Sequence, residues 1–359
     1  MPTMKIFYAD THRLHAAPFE IGEGGSQEKM LECPDRLDRI LNALDHVAWA
    51  EIIAPTDFGL DPIRAVHSDD YLEFLRTAFV SWKQQGGQLG VEKAGPVLMP
   101  ATFPPRRSQH NSQVVAGQAG YYIFDLSTPI LENTYTAILG STNCALAAAQ
   151  SLLNGERATL ALCRPPGHHA GRDYAGGYCY LNNAAIAAQY LVNGSGQRPV
   201  ALESRNKVAI LDIDYHGGNG TQDIFYDSAE VFTISIHADP ARQYPYFSGY
   251  ADETGAGRGC GFHRNFPLPK GVTDSDYEQV VAEAITLIEN FNATHLIVSA
   301  GMDIYAGDPL GDFNITTEGI HRLGQQIAAL QLPTAIIMEG GYNNEALGNN
   351  LVAFLRAFI

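Results

Sequence analysis

The chain has 359 residues, 45% of them hydrophobic and 17% charged, a balance that is typical of a globular enzyme and excludes a disordered chain. Its formal net charge of -16 disfavours nucleic acid and anionic membranes as partners and favours cationic ligands. The five cysteines form no CxxC pair, and neither a membrane-length apolar run nor a signal-peptide pattern is present, so we expect a reduced, cytoplasmic protein.

Short apolar runs rich in β-branched residues alternate with helical patterns along the chain. The runs predict strands over residues 4–8, 158–163, 208–213, 231–236, 295–299 and 334–338. The helical patterns lie over residues 34–44, 142–153, 182–191, 274–289, 316–329 and 344–358. Because the strands are almost continuously apolar, they suit a parallel sheet covered on both faces. We therefore predict one α/β domain over residues 1–359, with a doubly wound, mostly parallel sheet and helices on both faces.

Residues 81–118 interrupt this alternation. The segment contains several Gly and Pro residues and has no strong hydrophobic periodicity. It is too long for an ordinary connection, so we expect an insertion that acts as a lid or as a contact surface.

Polar side chains follow five of the predicted strands at the point where each strand ends. In an open α/β sheet, ligands bind outside the carboxyl ends of the strands, so these side chains are expected to meet at one edge. One or two such placements could arise by chance, whereas five are more than chance would be expected to give. The groups are His168-His169, Asp212 with Asp214 and His216, His237 with Asp239, Asp303, and Glu339 with Tyr342.

Asp214 and His216 are two residues apart, which at a strand end lets both side chains reach one ion. Together with Asp303 they would form a site of two carboxylates and one imidazole with coordination left open for water and substrate. A divalent ion there would polarise an amide carbonyl and lower the pKa of its water to ~7. The donor set suits zinc, and ferrous iron is an alternative.

The adjacent histidines, His168 and His169, are candidates for general base and acid, with ordinary loop polar groups as the alternative interpretation. Each imidazole needs an orienting partner, and Asp212 and Asn219 are the local candidates. Tyr342, after two glycines, could donate to a developing oxyanion.

Five strings in chain order carry a resemblance to a known family. They resemble the histone-deacetylase-like branch of the arginase–deacetylase superfamily, with weaker similarity at Pro34-Asp35-Arg36-Leu37 and His67-Ser68. The strings are Arg164-Pro165-Pro166-Gly167-His168-His169-Ala170, Gly177-Tyr178-Cys179-Tyr180-Leu181-Asn182-Asn183, Asp212-Ile213-Asp214-Tyr215-His216-Gly217-Gly218-Asn219-Gly220-Thr221, Gly301-Met302-Asp303 with Ala306-Gly307-Asp308-Pro309-Leu310-Gly311, and Glu339-Gly340-Gly341-Tyr342.

The resemblance implies a zinc-dependent amidohydrolase that removes acetyl groups with a metal-activated water. It assigns Asp214, His216 and Asp303 as zinc ligands, His168 and His169 as catalytic histidines supported by Asp212 and Asn219, and Tyr342 as the oxyanion donor. Asn219 stands where some relatives have Asp, and an amide is the weaker partner. The remaining assignments are Gly177, Tyr178 and Phe247 as substrate-binding residues, and Asp212, Asp214, His216, Ser235 and Ile236 as the site of a monovalent cation such as K⁺.

Within that branch, two strings look most like bacterial acetylpolyamine amidohydrolases: Tyr244-Pro245-Tyr246-Phe247-Ser248-Gly249-Tyr250-Ala251-Asp252-Glu253 and Asn265-Phe266-Pro267-Leu268-Pro269. This resemblance implies a homodimer built by the segment 81–118, a narrow channel, and a small cationic acetylated amine as substrate. An acetyl-lysine peptide or protein is the alternative substrate.

One feature departs from a polyamine enzyme: residues 94–124 contain no Asp or Glu and do contain Arg106 and Arg107. A carboxylate that binds the distal ammonium must then come from elsewhere, and the candidates are Glu20, Glu23, Asp125 and Glu132.

Two other functions are weighed against the deacetylase. An arginase-like ureohydrolase needs a carboxylate two residues after His216, where this chain has Gly218. A non-catalytic binder of acetylated amines would be expected to lack a ligand, a histidine or the tyrosine, and the complete set is present.

Overall fold

An eight-stranded sheet forms the centre of the molecule in the computed structural model, which describes residues 3–22, 25–85, 97–105, 110–194 and 206–359. The strands of the sheet are β1 (Met4–Phe7), β4 (Ala50–Ile53), β5 (Ala158–Ala161), β6 (Val208–Asp212), β7 (Val231–Ala238), β8 (His263–Leu268), β9 (His295–Ala300) and β10 (Thr334–Met338). A separate antiparallel pair comprises β2 (Glu20–Ile21) and β3 (Gln27–Glu28). In the sheet every neighbouring pair is parallel, and the order is β4-β1-β5-β10-β9-β6-β7-β8.

All six predicted strands are present. The two further strands of the sheet, β4 and β8, lie at its edges. An edge strand has one partner and does not need a continuous apolar sequence. Accordingly, β4 contains Glu51, and β8 contains Arg264 and Pro267. Their sequences carry no apolar run, which is why they were not predicted.

Helices cover both faces of the sheet. The structure has α1 (Asp35–Leu44), α2 (Asp61–Arg64), α3 (Asp69–Gln85), α4 (Val115–Tyr122), α5 (Thr134–Leu153), α6 (Asn183–Asn193), α7 (Asn219–Phe225), α8 (Asp274–Phe291), α9 (Thr317–Ala328) and α10 (Leu347–Leu355). The six predicted helices correspond to α1, α5, α6, α8, α9 and α10. Helices α2, α3, α4 and α7 were missed, and α5 begins earlier than predicted. No helix among the described residues is long and apolar enough to cross a membrane.

The segment 81–118 contains helical residues at both of its ends. Its first residues complete α3 and its last residues begin α4. Residues 86–96 and 106–109, including Arg106 and Arg107, lie outside the described part of the chain.

Alternating strand residues divide between two hydrophobic cores, one on each face of the sheet. In β10, Ala335 and Ile337 belong to the core that contains α5 and α6, whereas Ile336 and Met338 belong to the core that contains α1, α8, α9 and α10. Both cores share the one sheet, so the architecture is the predicted single α/β domain. The order of the strands in the sheet fixes which strand ends lie next to one another.

Candidate metal and catalytic centre

The five strands that carry the polar groups are neighbours, in the order β5-β10-β9-β6-β7, although they are scattered along the chain. Their parallel pairing brings all their carboxyl ends to one edge. The predicted convergence of the polar groups follows directly from this order.

Asp214, His216 and Asp303 form a compact cluster in which the potential ligand atoms lie within 4.8 Å of one another. His216 Nδ1 is 3.3 Å from Asp214 Oδ1 and 3.2 Å from Asp303 Oδ2. The other carboxylate oxygens are held by backbone groups: Gly340 N donates to Asp214 Oδ2 at 2.8 Å, and Tyr215 N donates to Asp303 Oδ1 at 3.0 Å. The oxygens that face the imidazole are Asp214 Oδ1, which also accepts from His216 N at 2.9 Å, and Asp303 Oδ2.

This cluster suits a divalent cation. Both carboxylates are buried, and burial together with the charge of Asp214 raises the pKa of Asp303 to about 7. A cation between the three donors would offset this repulsion. Two carboxylates and one imidazole are ligands that zinc accepts, with coordination positions left for water and substrate.

The tandem histidines lie beside the cluster, each with the partner predicted from the sequence. His168 Nδ1 is 2.9 Å from Asp212 Oδ2, and His169 Nδ1 is 2.7 Å from Asn219 Oδ1. The two rings are 3.9 Å apart, and His168 Nε2 lies 3.8 Å from Asp214 Oδ1. Because Nδ1 of each ring contacts its partner, Nε2 of each ring remains available for proton transfer.

Their surroundings drive the two pKa values apart. Burial alone would lower the pKa of His168, yet the charges of Asp214 and Asp212 raise it to about 10. Burial and the positive charges of His168 and His216 hold the pKa of His169 well below its ordinary value. The surroundings therefore favour the protonated form of His168 and the neutral form of His169.

Tyr342 is buried in a loop whose backbone is held from two sides. Asp308 Oδ2 accepts a hydrogen bond from Tyr342 N at 2.6 Å, and Arg36 Nε donates to Gly341 O at 2.7 Å. The Arg36 guanidinium also lies 4.8 Å from the centre of the Tyr342 ring. These contacts limit how far the loop can move and keep the phenol near the strand ends.

Two further tyrosines stand close to these groups. Tyr178 lies 5.7 Å from Tyr342 between ring centres. Tyr244 packs edge-on against His169 at 4.9 Å and lies 6.2 Å from His216. Phe247, assigned to an aromatic wall from the sequence, is 88% exposed, so the structure brings Tyr244 rather than Phe247 to the histidines. The sequence signal was present as three aromatic residues within four positions, but it does not indicate which ring turns inward.

Each of these tyrosines donates its hydroxyl hydrogen to a carboxylate. Tyr178 donates to Glu20 Oε2 at 2.7 Å, and Tyr244 donates to Asp125 Oδ2 at 2.9 Å. Asp125 Oδ2 also accepts from Gly177 N at 2.6 Å. Burial raises the pKa of Glu20, and the negative charge of Asp125 raises it further. The hydrogen bond from Tyr178 acts in the opposite direction but does not cancel the rise.

The sequence offered two other carboxylates, Glu132 and Glu23, as partners of a distal ammonium group. Glu132 lines a surface cavity with Leu14, Phe79 and Lys83. Glu23 lies outside the described residues. Glu20 and Asp125 are thus the two candidates that the structure brings next to the aromatic rings.

Two glycines allow the backbone to approach the reactive side chains. Gly177 has a φ of 54°, and a Cβ there would overlap the His169 ring. A Cβ on Gly218 would overlap the Asp212 carboxylate. The position that a ureohydrolase would use for its bridging carboxylate therefore has no room for one.

The predicted cation-site residues lie on the paired strands β6 and β7 or, for Asp214 and His216, just after the end of β6. Asp212 is opposite Ser235 in the register, and Asp212 Oδ1 accepts from Asp214 N at 3.0 Å. Ser235 Oγ is 2.7 Å from His237 Nδ1. The carbonyl of Ile236 accepts a hydrogen bond from the Tyr277 hydroxyl at 3.3 Å.

Comparison with known families identifies the class of enzyme. Residues 30–358 match the model of the Histone deacetylase domain, so the chain belongs to the histone deacetylase family. It is accordingly a deacetylase, a hydrolase of linear amide bonds. The resemblance carried by the sequence motifs is confirmed.

Among the relatives, the chain is 44% identical over 357 residues to "Acetylpolyamine amidohydrolase 2" of Pseudomonas aeruginosa, with 99% of this chain and 98% of that protein covered. It is 38% identical over 354 residues to "Acetylpolyamine amidohydrolase" of Mycoplana ramosa, covering 98% of this chain and 99% of that one. The crystal structure of acetylpolyamine aminohydrolase from Burkholderia pseudomallei superposes with a TM-score of 0.90 at 38% identity, covering 99% of this chain and 98% of the other.

Proposed function

We propose that this deacetylase hydrolyses small cationic acetylated amines, and acetylpolyamines in particular, with zinc as its metal. The observation that carries the proposal is the metal-competent cluster of Asp214, His216 and Asp303 beside two histidines whose pKa values are driven apart. The names of the relatives at 44% and 38% identity support the polyamine substrate.

Zinc held by Asp214, His216 and Asp303 would polarise the acetyl carbonyl and acidify water, and ferrous iron suits the same donors. His169 is neutral, and its Nδ1–H donates to Asn219 Oδ1, so Nε2 carries the free lone pair. That atom accepts the proton of the attacking water.

The remaining steps belong to His168 and Tyr342. His168 is protonated and held by Asp212, so it donates a proton to the departing amine nitrogen. The Tyr342 hydroxyl donates to the oxygen that becomes negatively charged during attack. Burial raises the pKa of Tyr342 well above its ordinary value, which keeps this hydroxyl protonated at neutral pH.

The substrate's amine chain passes Tyr178, Gly177 and Tyr244, with Tyr244 taking the place first assigned to Phe247. Ring surface contacts methylene groups, and the carboxylates of Glu20 and Asp125 behind the phenols attract a second ammonium group. These two residues supply the negative charge that residues 94–124 lack.

Three further features belong to the proposal. A monovalent cation such as K⁺ is held near Asp212 and Ser235, with backbone oxygens of Asp214, His216 and Ile236. The protein is a homodimer in which the segment 81–118 acts as the contact surface and narrows the channel. It acts in the cytoplasm, without nucleic acid or membrane as a partner.

Acetate release from acetylputrescine, an acetylspermidine and an acetyl-lysine peptide, at equal concentration with added zinc, tests the substrate. We expect kcat/KM for the two polyamines to exceed that for the peptide at least about tenfold, the effect of ~1.4 kcal/mol. Preference for the peptide would replace the polyamine assignment by the acetyl-lysine alternative. Binding without acetate release from any of the three would leave a non-catalytic binder.

The variant Glu20→Gln tests the source of cation selectivity. Because a hydrogen bond to a charged group contributes about 1.5–3 kcal/mol, kcat/KM for acetylputrescine should fall about tenfold or more. Acetylated butylamine has no second ammonium, so its kcat/KM should stay within about twofold. Glu132→Gln is the matched control, and it should leave kcat/KM unchanged for both substrates. An equal loss with both substrates would show that Glu20 supports the fold rather than selectivity.

A further inference from the structure

Glu339 is a fully buried acidic residue that directly follows β10. Its Oε2 accepts hydrogen bonds from two consecutive backbone amides of the turn that follows β5. The donors are Gly167 N at 2.7 Å and His168 N at 3.2 Å. The turn that presents both histidines is thus attached to the neighbouring strand through one side-chain oxygen.

The backbone of Glu339 is held as firmly as its side chain. Its amide donates to Ala300 O at 3.1 Å, in β9, and its carbonyl accepts from Arg36 at 2.6 Å. Because neither backbone group is free to shift, the position of the carboxylate is set by the sheet. It can therefore serve as a fixed reference point for the turn.

The other carboxylate oxygen of Glu339, Oε1, is buried and has no hydrogen-bond partner within the described part of the chain. Burial raises the pKa of Glu339 to about 7, with opposition from the charge of His168. A buried carboxyl with one orphaned oxygen costs stability that an apolar side chain would not. Its presence is explained if the position must supply an acceptor to the histidine turn.

We propose that Glu339 is a positioning residue for deacetylation, whose Oε2 anchors the backbone of Gly167 and His168 and thereby places His168 and His169 beside the metal ligands. The inference rests on the catalytic roles proposed above for the two histidines. It requires an acceptor oxygen at this point and does not require a negative charge. A glutamine supplies that oxygen at the same reach, whereas a methionine of similar length does not.

The test compares Glu339→Gln with Glu339→Met, using acetylputrescine and zinc-loaded protein at a temperature where circular dichroism shows both folded. For Glu339→Gln we expect kcat within about fivefold of the unchanged chain. For Glu339→Met we expect kcat to fall about a hundredfold, because small displacements of catalytic groups have effects of about that size. KM should stay within about twofold, with zinc and a titrating hydroxamate each bound at about one per chain.

Amide hydrogen exchange over residues 164–170 supplies a readout that does not depend on turnover. Protection should be retained in the Gln variant and lost in the Met variant. If the Met variant does not fold, Glu339→Asp takes its place, because a shorter side chain cannot reach Gly167 N. The inference would be overturned if Glu339→Met or Glu339→Asp kept both the amide protection and kcat of the unchanged chain. It would also be overturned if Glu339→Gln and Glu339→Met lost protection and kcat to the same extent. An unmodified protein that releases no acetate while the exchange pattern holds would instead contradict the proposed function alone.

Discussion

Replacing His169 by alanine is expected to lower kcat for acetate release by about three orders of magnitude, within the range of about 10²–10⁴ for a general base. The surroundings of His169 hold its pKa well below the ordinary value, and Asn219 Oδ1 accepts from its Nδ1, so the variant removes the proposed proton acceptor for the attacking water. Steady-state kinetics with acetylputrescine and a direct binding measurement check the result. Binding should persist, because Glu20 and Asp125, the proposed partners of the second ammonium group, are untouched.

A surface histidine provides the control for this variant. His46 is exposed, and His46→Ala should leave kcat unchanged. His169→Asn is a second comparison, since it keeps a polar side chain but removes the imidazole, and it should be as slow as the alanine variant. Turnover by His169→Ala at close to the original rate would remove the assignment of His169 as base.

The largest effect is expected from removing a metal ligand. Asp303→Ala leaves His216 and Asp214 as two donors, so zinc should be lost on dialysis and kcat should fall by at least about four orders of magnitude, since the activation of water by the metal disappears. The measurement combines metal analysis of the dialysed protein with assays of acetate release in the presence and absence of added zinc. The unchanged chain should lose activity to a chelator and regain it with zinc.

Asp61→Ala serves as the matched control, because the Asp61 side chain is 97% exposed. It should retain one zinc per chain and full turnover. Retention of zinc and activity by Asp303→Ala would show that the metal is bound elsewhere, and the proposed ligand set would have to be abandoned.

The central part of the fold and most of the candidate centre could be predicted from the sequence for one physical reason. Buried parallel strands need unbroken apolar runs, and the residues that follow them are the ones that reach the functional edge. Thus the run that ends at Asp212 identified both a central strand and the start of the Asp214–His216 pair. The edge strands β4 and β8 gave no such run.

Other features depend on contacts between distant residues. Tyr244 faces His169 because its loop folds back over the strand ends, and nothing in the string of aromatics distinguishes it from Phe247. The bond from Glu339 to Gly167 joins residues 172 positions apart. Helix α3 is a different case, since Tyr71, Leu75, Ala78 and Phe79 recur at helical spacing and this pattern does indicate a helix.

The order of the strands has a consequence for synthesis of the chain. Strands β9 and β10 are the last to be translated, yet they occupy the two middle positions of the sheet. Until the ribosome has made them, β5 and β6 each lack one neighbouring strand, so the strands already made can pair only as two separate groups, β4-β1-β5 and β6-β7-β8. Such unpaired edges recruit other strands, so chaperone protection is needed most just before translation ends. The step that closes the sheet also brings Asp303 to Asp214, so the cluster proposed to hold the metal is completed late in the biogenesis of this protein.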